Sequence, residues 1–167
     1  MKHLYFIFTV LLTVSLFTAT AQQSGNAGTR AKAAIQLTKI LNDAATAFPP
    51  QLSYQTEASA VIEKPFSISP EGILSVTFRY PVEKSFMLYK LTAPVSAIKG
   101  VFYDYYIGLE FDGAVVQISE SEKGSRELKE DNILALFHVA KPGDGPAGES
   151  LKVKMQKGLE TFRENYK

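Results

Sequence analysis

Phe102-Tyr103-Asp104-Tyr105-Tyr106 is the stretch of this chain richest in side chains that could hold a ligand. In an extended segment Phe102, Asp104 and Tyr106 face one way and Tyr103 and Tyr105 the other, because side chains alternate along a strand. Both faces are then aromatic, whereas a half-exposed strand needs only one. One set can complete the core while the other covers the packing site of the first helix. The functional alternative is a recognition surface, since tyrosine brings a large contact area with little loss of entropy. Tyr103, Tyr105, Tyr106 and Asp104 are therefore the candidate ligand-binding residues.

Other residues carry weaker chemical signals. Asp104, Glu110 and Asp112 could supply a carboxylate pair for a small hydrolase, provided two of them meet across a cleft at about 5–10 Å. Asp112 is already accounted for by a turn. His138 is the one histidine beyond His3. Between Phe137 and Val139 it should point away from the face those two share. A zinc site would need further His or Cys ligands, and the chain has no cysteine. Gly143-Asp144-Gly145-Pro146-Ala147-Gly148 spells G-x-G-x-x-G between an expected strand and an expected helix, the setting of a dinucleotide loop. Too little chain follows for a second parallel strand, and Pro146 removes an amide that a phosphate would use. A turn with a proline-led helix start is the simpler reading. Glu120 to Asp131 is dense in charge, but Lys123, Arg126 and Lys129 interrupt the acids, and a solvated loop is expected there rather than a calcium site. No catalytic, metal-binding or cofactor-binding residue is assigned.

Leu4 to Phe17 is almost wholly apolar after a basic start at Lys2, and Ala19-Thr20-Ala21 has the small-x-small form of a signal-peptidase site. Residues 1–21 are expected to be a signal peptide, 22–28 a flexible mature N-terminus and 29–167 a single domain. The protein is then exported, periplasmic or secreted. Fourteen residues are too few to span a bilayer, which takes about 20, so no transmembrane anchor is expected. Without Lys2 the basic and acidic side chains balance at 17 each, a charge that gives nucleic acid nothing to hold. With no disulfide framework available, burial must stabilise the fold.

Ala34, Leu37, Leu41, Ala44, Ala45 and Phe48 form one stripe of a helix, with Thr29 as its expected cap and Pro49-Pro50 as its stop. After the prolines the period becomes two. Strands are expected over Tyr54–Glu63, over Phe66–Ser69 and Ile73–Tyr80 around Pro70-Glu71-Gly72, and over Ser85–Thr92. The clearest hairpin is expected at Asp112-Gly113, joining Tyr105–Phe111 to Ala114–Ser119. Asn132–Ala140 is the last strand. Leu151, Met155, Leu159, Phe162 and Tyr166 then mark a C-terminal amphipathic helix. The fold class is α+β: an N-terminal helix, an antiparallel sheet or partly open barrel of six to seven strands, and a C-terminal helix.

Antiparallel strands closed by one C-terminal helix resemble the pleckstrin-homology-like domains, including the bacterial and GRAM-type forms. Leu91-Thr92-Ala93-Pro94-Val95-Ser96-Ala97-Ile98-Lys99-Gly100-Val101 is similar to a step that follows their central strands. Leu136-Phe137-His138-Val139, a short loop and the amphipathic helix are similar to their last strand and capping helix. The resemblance spans roughly residues 54–167 and implies binding of lipid, peptide or protein without catalysis. The expected function is thus an extracytoplasmic binding or protein-interaction module, its partner an envelope protein, peptide, lipid or glycan. A small carboxylate-dependent hydrolase of the cell envelope is the alternative.

Overall fold

Pro49-Pro50 ends the first helix as the backbone chemistry requires. The computed structural model describes residues 27–51 and 58–166. The expected signal peptide, most of the expected N-terminal tail and residues 54–57 of the expected first strand lie outside the described residues. Helix α1 covers residues 27–47, so Thr29 sits within the helix rather than capping it. Its buried stripe is Ala33, Leu37, Leu41, Ala44 and Ala45. Burying a leucine such as Leu37 or Leu41 contributes about 1.5–3 kcal/mol.

Among the described residues eight antiparallel strands follow: β1 (Val61–Ile68), β2 (Ile73–Val82), β3 (Ser85–Pro94), β4 (Ile98–Asp104), β5 (Tyr106–Phe111), β6 (Val116–Ser121), β7 (Leu128–Leu134) and β8 (Leu136–Ala140). Helix α2 (Pro146–Asn165) closes the chain. A five-stranded sheet runs β1-β2-β3-β6-β7 and a three-stranded sheet runs β4-β5-β8. The fold is α+β with antiparallel sheets and no closed barrel, as the alternation of residues implied.

The two sheets are the two arms of one bent meander. β3 passes into β4 through a 3₁₀ turn at Val95–Ala97, β5 into β6 through residues 112–115, and β7 into β8 at Ala135. β3 pairs with β6 while β4 pairs with β5. Likewise β6 pairs with β7 while β5 pairs with β8. Three long strands are therefore folded at a shared corner. This corrects the expected hairpin at Asp112-Gly113, because β5 and β6 do not pair with each other. Gly113 does adopt the left-handed conformation, φ 91°, but the amide of Asp112 donates to Ala97 O, 2.8 Å, in the neighbouring corner. Asp-Gly here bends a strand instead of reversing it. The reversal lies earlier in the chain, at Tyr105, with φ 60°.

The charged run is a second correction. Only residues 122–127 form a turn; Leu128–Asp131 belongs to β7. That half of the strand escapes an apolar pattern because β7 lies at the sheet edge with residues 129–134 all exposed. Its charges pair along the surface, Lys129 Nζ with Glu122 at 2.7 Å and Arg126 with Glu63 of β1 at 2.7 Å.

One hydrophobic cluster joins both helices to both sheets. Asn42 ties α1 to β1 through the backbone of Phe66, accepting from its N–H at 2.9 Å and donating to its carbonyl at 3.3 Å. Arg163 ties α2 to the outer edge of β4, donating to the carbonyls of Ile98 and Lys99, each at 2.7 Å. The helices meet where Ile40 rests against Gly158, and Arg30 lies over the Tyr166 ring at 4.6 Å.

Candidate functional site

The β4–β5 hairpin separates the four candidate residues by the direction each side chain takes. Tyr103 points inward, although it packs against α2 rather than α1. Its hydroxyl donates to the carbonyl of Gly143 at 2.7 Å and lies 3.4 Å from that of Gly145. A side chain on Gly148 would overlap the same hydroxyl and ring. The amide of Gly143 in turn donates to Tyr105 O, 3.1 Å. The G-x-G-x-x-G run is thus the seat of Tyr103. Two of its helix-start amides bond internally, Gly148 N and Glu149 N both donating to Gly145 O at 3.1 and 3.3 Å.

Tyr106 takes the opposite face. There it stacks on His138 of β8, ring centroids 5.2 Å apart and planes at 21°. Phe102 approaches the same imidazole at 5.4 Å, and Tyr105 meets Tyr106 edge-on at 5.9 Å. The row is possible because Phe102, Gly108 and His138 are in register across β4, β5 and β8. Gly108 leaves its place on the face to the Phe102 ring, whose nearest carbons would be 2.8 and 3.0 Å from an added Cβ. Lys141, just past β8, sets its ammonium over Tyr105 at 5.1 Å and Tyr106 at 5.6 Å, and it also bonds Gln51. Asp104 is exposed beside Tyr105 at the hairpin tip.

Four rings in continuous contact therefore form a strip on the outer face of the three-stranded sheet, with a cation at one end and a carboxylate nearby. Tyr106 is largely buried within it and Tyr105 is 39% exposed. His138 is exposed as a residue, yet its ring is walled by Phe102 and Tyr106. Loss of water around the imidazole holds its pKa below the ordinary histidine value. Clefts of about 360 Å³ lie elsewhere, between α1 and the β1–β2 turn and beside Arg163 and Tyr166.

No known protein family, curated protein or solved structure matches this chain. The arrangement of its own residues carries the reading.

Asp104 is set apart from Glu110. Asp104 stands opposite Tyr106 and Glu110 opposite Gly100, four residue steps along β5, about 13 Å at strand rise. Glu110 is paired with Lys99 at 2.7 Å, which also raises the Lys99 pKa. Among the described residues no group of three or more metal-type side chains converges, and no helix is long and apolar enough to cross a membrane.

Sequence reasoning identified the aromatic segment, but it did not join Phe102, His138 and Lys141 to Tyr105 and Tyr106. Alternation already placed Phe102 and Tyr106 on one face. The neighbourhood of β5 and β8 had no local signal.

Proposed function

We propose that this protein is a non-catalytic binding module that acts outside the cytoplasm and holds an extended ligand, a peptide or a glycan chain, on the strip formed by Phe102, His138, Tyr106 and Tyr105. The observation that carries this reading is the continuity of the four rings across three strands on a solvent-facing surface. Aromatic area of that kind favours flat apolar or sugar-ring partners, and an open face suits a long ligand better than an enclosed small molecule. Lys141 and Asp104 add one charge of each sign at the Tyr105 end, where a ligand's polar groups would be oriented. Address outside the cytoplasm rests on Met1 to Ala21. The likeness in element order to pleckstrin-homology-like domains supports binding over catalysis.

A panel of oligosaccharides and extended peptides, followed by aromatic NMR shifts, tests the proposal. A true ligand should move the Phe102, Tyr105 and His138 resonances. Phe102→Ala and Tyr105→Ala should each weaken its binding at least tenfold, with the fold retained. Ligands whose affinity ignores both substitutions would overturn the assignment.

A further inference from the structure

The bent edge strand β7–β8 carries the second inference. Residues 129–136 are eight consecutive exposed positions, and β7 and β8 are the outermost strands of their respective sheets. The opposite edge of the three-stranded sheet is covered by α2 at Ile98 and Lys99, and β1 is tied to α1 at Phe66. At the bend of the β7–β8 edge stand three large apolar side chains, Ile133, Leu134 and Leu136, 58%, 38% and 38% exposed. A strand edge presents N–H and C=O groups that are left to water until another extended backbone pairs with them, and here the Ile133 amide already donates to Asn132 Oδ1, 2.8 Å.

We infer that the occupant is a second copy of this chain, added antiparallel about a two-fold axis through Ala135. Ala135 turns its carbonyl inward to the amide of Phe111, 2.9 Å. By alternation Leu134 and Leu136 then turn their backbone groups outward. A two-fold through Ala135 sets Leu134 opposite Leu136 of the second copy, twice, so the apolar patch complements itself. Ala135 meets its own copy as a non-hydrogen-bonded pair, whose Cα atoms lie about 4.5 Å apart. A small side chain suits that crossing. An axis along the sheet normal also maps the bend onto a bend of the same sense, so both arms can pair. The dimer would carry its two aromatic strips on one side. This inference does not depend on the ligand-binding reading.

The absence of cysteine provides the test. Ala135→Cys places thiols within the span of about 4.4–6.8 Å that a disulfide bridges. Under mild oxidation it should become a covalent dimer, while the exposed helix variant Lys157→Cys should not. Sedimentation of the unaltered protein should show mass rising towards twice the monomer with concentration. Leu136→Lys, with an unchanged circular-dichroism spectrum, should remain monomeric. A monomer at every concentration, or cross-linking of Ala135→Cys no faster than Lys157→Cys, would overturn the inference.

Discussion

The ring of Tyr103 fills the place that a side chain on Gly148 would need, so the last helix can dock on β4 only because residue 148 is glycine. A hydrogen bond from the Tyr103 hydroxyl to Gly143 O, 2.7 Å, holds the preceding loop against the same ring. Gly148→Ala should therefore destabilise the protein by about 1–3 kcal/mol through overpacking. Tyr103→Phe should cost about 1 kcal/mol, the net worth of one hydrogen bond. Adding Tyr103→Ala to Gly148→Ala should cost less than the sum of the single changes, because the ring that clashes is gone. Urea midpoints of the four proteins check this; strict additivity would contradict it.

Gly108 makes a comparable demand in the aromatic strip. An added Cβ would overlap the backbone carbonyl of Phe137 and press on Phe102. A backbone atom yields less than a side-chain tip, so Gly108→Ala should lower stability by at least about 1–3 kcal/mol. It should also displace the Phe102 ring, which the loss of its contact shift on His138 would report. An unshifted His138 resonance would count against the described packing.

Asn42 closes both backbone groups of Phe66, a residue only 3% exposed. Asn42→Ala leaves those groups without their partner and should cost about 2 kcal/mol. Asn42→Asp keeps the acceptor and loses the donor, so an intermediate loss is expected. Thermal or urea unfolding decides; equal losses for both variants would mean that the acceptor contributes nothing.

His138 predicts a pH dependence. Its pKa is depressed in the folded protein, where Phe102 and Tyr106 flank the ring and the Lys141 ammonium lies over Tyr106. Below about 6.5, the ordinary histidine value, the unfolded chain takes up this proton first. The group's contribution is complete above that pH and falls as the pH drops towards the folded pKa. His138→Gln should flatten the stability profile in that window. A parallel, merely offset profile would show that His138 does not titrate as described.

Parts of this architecture were legible in the order of residues. The Pro49-Pro50 stop, the apolar stripe from Leu37 to Ala45, the Pro70-Glu71-Gly72 reversal and the amphipathic face of α2 are local patterns, and each appears where its spacing requires. Asp112-Gly113 was misleading because φ > 0 serves a hairpin and a strand corner equally well. The Leu128–Asp131 half of β7 was concealed because an edge strand exposed on both faces needs no alternation of apolar residues.

What the chain by itself determined was therefore the class of fold and the common face of Phe102 and Tyr106, both consequences of local backbone geometry; Tyr105, which alternation put on the Tyr103 side, meets Tyr106 and Lys141 instead because the chain reverses at its φ of 60°. The tertiary structure alone decided which strands are neighbours. It brought Tyr103 to Gly143, 40 residues away, and set His138 between Phe102 and Tyr106 through the order β4-β5-β8. Strand order is chosen by the burial summed over the whole core, and no single residue or spacing records that sum.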